Sequence, residues 1–225
     1  MCGRYAMSHT AADLQLLFGV VNPDDFSSDP RYNIAPTQLV PIVFRNREGK
    51  RSTGRARWGL IPSWVGKPSE WRASTFNARR EEAASKLTFR QAFKRGRVLI
   101  PASGFYEWRR EGDAKTPYHV RSREGTPLAF AGLMDIWRDK RSDERLVSCA
   151  ILTTASEGVL AELHDRMPVV VAPGEFNTWL AEPQSDEALG RVLRSAPLAS
   201  LELYPVSSAV NSTRNDAPSF VAPLA

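Results

Sequence analysis

Val98-Leu99-Ile100-Pro101-Ala102-Ser103-Gly104-Phe105-Tyr106-Glu107-Trp108-Arg109 decides the reading of this chain. Val98–Pro101 and Phe105–Arg109 are rich in β-branched or aromatic residues and read as strands separated by three residues. Working outward, Tyr118–Arg121, Leu128–Trp137 and Leu146–Thr154 follow the same pattern downstream, and Leu39–Phe44 and Gly54–Leu60 follow it upstream. The links between these strands are mostly short or loop-like. That spacing favours an antiparallel or mixed sheet, curved or closed, over a doubly wound parallel one. No G-x-G-x-x-G, phosphate-binding P-loop or G-x-S-x-G follows a strand.

Helices fill the remaining stretches. Thr10-Ala11-Ala12-Asp13 has the form of a capping box, with Asp in place of Glu. Leu14, Leu17 and Phe18 then recur at helical spacing, and Gly19 can close the helix. Segment 77–95 reads as helical in two pieces broken near Leu87–Thr88. Further helices are expected at Glu157–Leu163, Gly174–Leu180 and Asp186–Arg194. No repeat or low-complexity linker divides the 225 residues, so one domain spanning 1–225 is expected.

Composition narrows the class. Hydrophobic residues at 42% and charged residues at 24% are ordinary for a globular protein. No apolar run has the length of a membrane span, and MCGRYAMSHT lacks the apolar stretch of a signal peptide. The expected compartment is the cytoplasm, or the nucleus in a eukaryote. Two cysteines, Cys2 and Cys149, make a disulfide framework improbable and exclude a four-cysteine zinc site. The three histidines are scattered, so no metal is expected, and no cofactor motif is present. Net charge is +5, unevenly spread: residues 1–110 carry 19 Lys/Arg against 9 Asp/Glu, and residues 111–225 carry 11 against 16. A positive surface built by the first half suits a polyanion, although a solvated surface fits charge alone equally well.

Four residues carry candidate chemistry. Loss of Met1 would leave Cys2 with an α-amine and a thiol on one residue. An α-amine has an unperturbed pKa of about 7.7–8.0, so part of it is neutral near pH 7. A neutral amine forms a Schiff base with an aldehyde, and the thiol can then close a five-membered thiazolidine on the same carbon. An abasic DNA site offers such an aldehyde when its sugar ring opens. Taken alone, Cys2 is more simply an unprocessed second residue. Glu107, flanked by aromatics, should be desolvated and its pKa raised, unless it points outward on an alternating strand. His164, near an expected helix end, suits proton transfer but is equally a capping or core histidine. Asn77 could orient a substrate or the N-terminus by its amide, or act as a helix N-cap.

Taken together, these segments resemble the SRAP (SOS-response-associated peptidase) family, whose members crosslink to abasic sites in single-stranded DNA. The matching stretches run in order: Met1–Tyr5, Tyr32–Thr37, Trp58–Trp64, Asn77–Arg79, Ile100–Trp108, Phe130–Leu133, Leu152–Ala155, His164–Pro168, and Tyr204–Ser207 before Val210-Asn211. The resemblance implies an α+β fold with a barrel-like, mostly antiparallel β core, peripheral helices and a basic groove. It implies that Cys2 crosslinks, Asn77 holds the opened sugar and the N-terminus, Glu107 moves protons, and His164 promotes ring opening. It further implies DNA contacts through Arg4, Pro36, Trp64, Arg79, Thr153 and Arg166. For the arginines the competing role is an internal salt bridge, and for Trp64 it is core packing. Val65 stands where some relatives carry a second Trp, which leaves the stacking platform open. The expected partner is single-stranded DNA containing abasic sites, bound by a monomer. The alternatives are a cysteine peptidase or amidohydrolase using Cys2, and a non-covalent binder of single-stranded nucleic acid.

Overall fold

The protein is described from a computed structural model that covers residues 2–26, 29–182, 184–194 and 200–224. In chain order the elements are β1 (Tyr5–Met7), α1 (Ala11–Phe18), β2 (Arg31–Ile34), β3 (Leu39–Arg45), β4 (Arg51–Trp58), β5 (Asn77–Arg79), α2 (Arg80–Ala83), α3 (Arg90–Arg95), β6 (Arg97–Ala102), β7 (Gly104–Glu111), β8 (Ala114–Ser122), β9 (Leu128–Arg138), β10 (Arg145–Ala155), β11 (Arg166–Pro168), α4 (Phe176–Leu180), α5 (Asp186–Arg194) and β12 (Leu201–Pro205).

Five strands close on themselves. β3 pairs with β4 and β6, β6 with β9, β9 with β10, and β10 returns to β4. Every pairing in this ring is antiparallel except β10 with β4, so the barrel is mixed. A second, fully antiparallel sheet runs in the order β12-β8-β7-β1-β2. The expected α+β fold with a barrel-like, mostly antiparallel core is therefore the observed one.

Aromatic side chains join the two sheets. Tyr5 of β1 meets Trp58 of β4 edge-on at 5.3 Å and Phe130 of β9 at 6.0 Å, and Phe105 of β7 meets Phe130 at 6.0 Å. All four are fully buried. Large aromatic groups bury much apolar surface, and the edge-to-face arrangement adds to it. Sheet stacking at this seam fixes where the N-terminal segment lies relative to the barrel.

α1 forms where its caps dictate. The Thr10 side chain accepts the Asp13 N–H, the Asp13 carboxylate accepts the Thr10 N–H, and Gly19 closes the helix at φ 57°. Other expectations need correction. Asn77–Arg79 is a strand rather than the start of a helix, because its backbone pairs with β10 and its Ala78 is buried. Helix begins only at Arg80 and resumes at Arg90. Gly158–Glu162 is a 3-10 turn rather than α-helix, and Pro173–Glu175 is likewise 3-10 before α4. Four short strands (β1, β2, β11 and β12) had no periodic signal, since three to five residues are too few to show one.

Gly104 opens β7 where three strands crowd together. A Cβ there would lie 2.4 Å from His119 Nε2 and 2.5 Å from the Val120 carbonyl oxygen. Gly104→Ala should therefore lower the unfolding free energy by about 1–3 kcal/mol, seen as a lower urea midpoint at unchanged slope.

Candidate functional site

The site is assembled by β10. Along one edge of its C-terminal half, Ile151, Leu152 and Thr153 pair with Asn77, Ala78 and Arg79 of β5. Along the other edge, Thr153, Thr154 and Ala155 pair with Pro168, Met167 and Arg166 of β11. Asn77 and the turn carrying His164 thus flank one strand although 87 positions separate them in sequence. From the second sheet, β1 lies against β7 in the register Tyr5 to Phe105, and the Tyr106 N–H donates to the Arg4 carbonyl at 3.0 Å. Extending that antiparallel register carries Gly3 and Cys2 toward Glu107.

Cys2 is fully buried. Its carbonyl accepts a hydrogen bond from Asn77 Nδ2 at 2.8 Å, which ties the start of the chain to β5. Asn77 Oδ1 is buried without a hydrogen-bond partner among the described residues. Burial drives the Cys2 thiol far above its ordinary range, and the charge of Glu107 pushes it further. A thiol so placed is protonated at neutral pH, not a thiolate.

Glu107 is 4% exposed. Burial pushes its carboxyl from an ordinary 4.5 up to about 7, with Asp165 adding to the rise and Lys115 opposing it. The charge of Asp165, in the turn next to His164, is thus felt at Glu107. An ion pair from Arg109 of β7 to Glu162 at 3.2 Å anchors that turn.

His164 is about one-third exposed. Its Nδ1 accepts the Arg166 backbone N–H at 2.9 Å and lies 2.7 Å from Asp165 Oδ1. These contacts compete: the first needs a bare Nδ1 and so the Nε2–H tautomer, the second an Nδ1–H, which a neutral ring also supplies and which leaves Nε2 without a hydrogen. Partial burial lowers its pKa, the Asp165 carboxylate opposing, so the ring is neutral at neutral pH.

The residues expected to touch DNA divide. Arg79 and Trp64 are exposed, and the Arg79 guanidinium lies 3.7 Å from the exposed Glu82 carboxylate. Pro36 is half-buried beside Thr37, whose φ of 78° is strained for a β-branched residue. Arg166 forks onto both oxygens of Glu81 at 3.1 and 2.9 Å and donates to the Thr153 carbonyl at 2.6 Å. Arg4 donates to Asn33 Oδ1 and to the Val210 carbonyl, both at 2.6 Å. Thr153 is buried, its hydroxyl donating to the Ala78 carbonyl at 3.4 Å. In this structure Arg4, Arg166 and Thr153 bind protein. Glu81, which holds Arg166, carried no signal in the sequence, and Asn33, which holds Arg4, lay in the matching stretch Tyr32–Thr37 without an assigned role.

This geometry sits in a chain with clear relatives. The family model of SOS response associated peptidase (SRAP) matches residues 1–213. The chain belongs to the SRAP family. This SRAP chain is 33% identical over 227 residues to the abasic site processing protein YoqW of Bacillus subtilis (strain 168), covering 98% of this chain and 99% of that one. It is 30% identical over 230 residues to the abasic site processing protein YedK of Escherichia coli (strain K12), covering all of both. A solved structure from Bacteroides thetaiotaomicron matches the SRAP chain with a TM-score of 0.86 at 24% identity, covering all of both chains, and supports the fold. Among the described residues the SRAP chain has no group of three or more metal-capable side chains and no helix long and apolar enough to cross a membrane.

The raised carboxyl of Glu107 has a consequence for stability. An unfolded glutamate near 4.5 loses its proton before the folded one near 7, so the unfolded state binds fewer protons between those values. Stability should fall by up to about 3 kcal/mol as pH rises across that window. Glu107→Gln should melt above wild type at pH 8, and the gap should close by pH 5 in scanning calorimetry.

Proposed function

We propose that this chain processes abasic sites in single-stranded DNA by covalent capture through Cys2, after excision of Met1. The observation that carries the reading is the convergence of Cys2, Asn77, Glu107 and the His164 turn through β1, β5, β7 and β11. The names of the relatives support the substrate.

The chemistry follows from those side chains. Neutral His164, as the Nδ1–H tautomer facing Asp165, takes the proton from the hemiacetal hydroxyl at Nε2; the C1′–O4′ bond breaks, the proton passes on to O4′, and the sugar opens to its aldehyde. The Cys2 amine attacks that carbon, and loss of one water leaves an imine. Glu107, titrating near neutrality, donates the proton that expels water and recovers it from the iminium nitrogen to leave the imine. The thiol then adds across the C=N bond, its hydrogen passing to nitrogen, and a thiazolidine results with no further leaving group. Because burial holds the thiol protonated, the amine acts first. That same burial argues against a peptidase that needs a resting thiolate. Asn77 keeps the Cys2 backbone in place, and its unoccupied Oδ1 can accept from the opened sugar or the amine. Removal of a C2′ proton from the imine before closure breaks the C3′–O bond, which is a lyase reaction at the same site.

Arg79 supplies a phosphate contact, while Arg4 and Arg166 shape the site from within. The protein acts as one domain and a monomer. Two measurements test the reading. An abasic oligonucleotide should give an SDS-stable adduct whose mass equals protein lacking Met1 plus DNA minus one water. Cys2→Ser, or a chain retaining Met1, should give none, and an equal adduct from either rejects the mechanism. Arg79→Ala should weaken binding of single strands and make the log–log salt dependence shallower by about 0.7, read by fluorescence anisotropy between 50 and 200 mM salt.

A further inference from the structure

The barrel has a second end, and that end is basic. β4, β6 and β10 run in one direction, since β10 is parallel to β4 and β3 is antiparallel to both β4 and β6. Asn77, which holds the Cys2 carbonyl, meets β10 in the half where that strand finishes. Arg51 begins β4, Arg97 begins β6, Arg45 ends β3, and Arg95 closes α3 just before β6. These four therefore gather at the opposite end, about 20 Å from the Cys2 site along a strand the length of β4.

Two cavities of about 420 and 450 Å³ adjoin there and share Arg45, Gly49 and Leu180. Arg51 lines the first, and Arg47, Arg95 and Arg97 line the second, where Glu182 is the one acidic residue of either wall. Arg109, Arg121, Arg166 and Arg191 each hold a carboxylate, but among the described residues none of the five groove arginines does. Arg97 is 5% exposed, and its guanidinium donates only to carbonyls: Trp179 and Phe93 at 2.7 Å, Lys94 at 3.3 Å, and Ala181. Those bonds satisfy donors and leave a buried positive charge without a bonded counter-ion.

The other walls are fixed in advance. Arg51 donates to the Phe18 carbonyl at 2.7 Å and lies 5.8 Å from the Phe176 ring. Arg45 donates its Nε–H to the Gly49 carbonyl at 3.1 Å, and its two terminal nitrogens have no hydrogen-bond partner among the described residues. Gly49 has φ 78°, and a Cβ there would come within 3.2 Å of Arg45 Nη2, so this close approach needs glycine. Asn46 Oδ1 accepts the Glu48 and Lys50 N–H groups at 3.0 and 2.9 Å and holds the turn beneath Arg45 in shape.

We propose that this groove is a second anion site, separate from the Cys2 site, which takes phosphate groups and uses Arg45 to bridge two of them. Guanidinium forks match phosphate oxygens, and a bound anion supplies the counter-charge that Arg97 lacks. Phe44 is the one aromatic ring in the walls and is half-buried, so the ligand is recognised by its phosphates and not by a base. Those phosphates come from a free polyphosphate or from the backbone of a nucleic-acid strand. No residue of the covalent chemistry takes part, so the site stands or falls apart from that reading.

The test titrates pyrophosphate into the full chain by calorimetry at an ionic strength of about 0.15 M. Arg45→Ala and Arg95→Ala should each weaken binding about tenfold or more. Lys50→Ala, whose amine pairs with Glu48 at 3.2 Å and lines neither cavity, should bind as wild type does. Both groove arginines are exposed, and Arg45→Lys, which keeps the charge without the fork, should show a smaller loss and decides the matter should an alanine variant misfold. The proposal is overturned if wild type does not bind pyrophosphate, if Arg45→Ala binds it equally well, or if only Arg79→Ala weakens it, which would put the anion in the Cys2 cleft. Intact oligo(dT) identifies the source. A salt dependence shallower by about 0.7 in Arg45→Ala assigns the groove to a strand, and unchanged oligo(dT) binding with pyrophosphate lost assigns it to a free polyphosphate.

Discussion

The C-terminal half of β10 carries a strand on each edge, and the arrangement of the site depends on that constraint. A strand offers hydrogen bonds on two sides. Here one side receives β5 with Asn77, and the other receives β11 directly after His164. Because register in a sheet has a period of two, a slip of one residue on either edge would turn Asn77 or Arg166 to the opposite face. Thr153 sits at the crossing point, paired to Arg79 and to Pro168, with its carbonyl held by Arg166. The closed barrel beneath leaves β10 little freedom to shift.

The second sheet delivers the remaining groups. Its aromatic seam with the barrel sets the depth at which β1 enters, and β1 in turn lays the first residues along β7. The consequence is electrostatic. Burial is the main cause that moves Glu107 up to about 7, drives the Cys2 thiol out of its nucleophilic range and keeps His164 neutral. In the proposed reaction these shifts make Glu107 the proton donor, Cys2 a withheld thiol and His164 the base. The cost falls on stability, since an ionising carboxylate at this depth opposes the fold. Sites of this kind commonly trade stability for function.

Much of this was legible in the chain. The capping box at Thr10 and the αL stop at Gly19 depend on groups within a few residues of one another. Long strands such as β9 and β10 announce themselves by composition. Cys2, Asn77, Glu107 and His164 are candidates by their side-chain chemistry, but each has a plainer reading, and only the resemblance of the segments taken together assigned them roles. Reading Asn77–Arg79 as helix failed because a three-residue strand exists only through its partner. The roles of Arg4 and Arg166 were open between phosphate and protein, and their carbonyl and carboxylate partners came from segments no local rule connects.

By itself the sequence determined the inventory: which residues can attack an aldehyde, which segments extend, where α1 starts and stops, and, through its resemblance to a family, a barrel-like α+β core. Only the tertiary structure decided that Asn77 holds the Cys2 carbonyl, that Glu81 occupies Arg166, and that Trp71 rather than residue 65 faces Trp64. The physical reason is range. Helix caps and side-chain periodicity act over four or five residues. A hydrogen bond across 75 positions exists only after sheet register and aromatic packing have closed the chain.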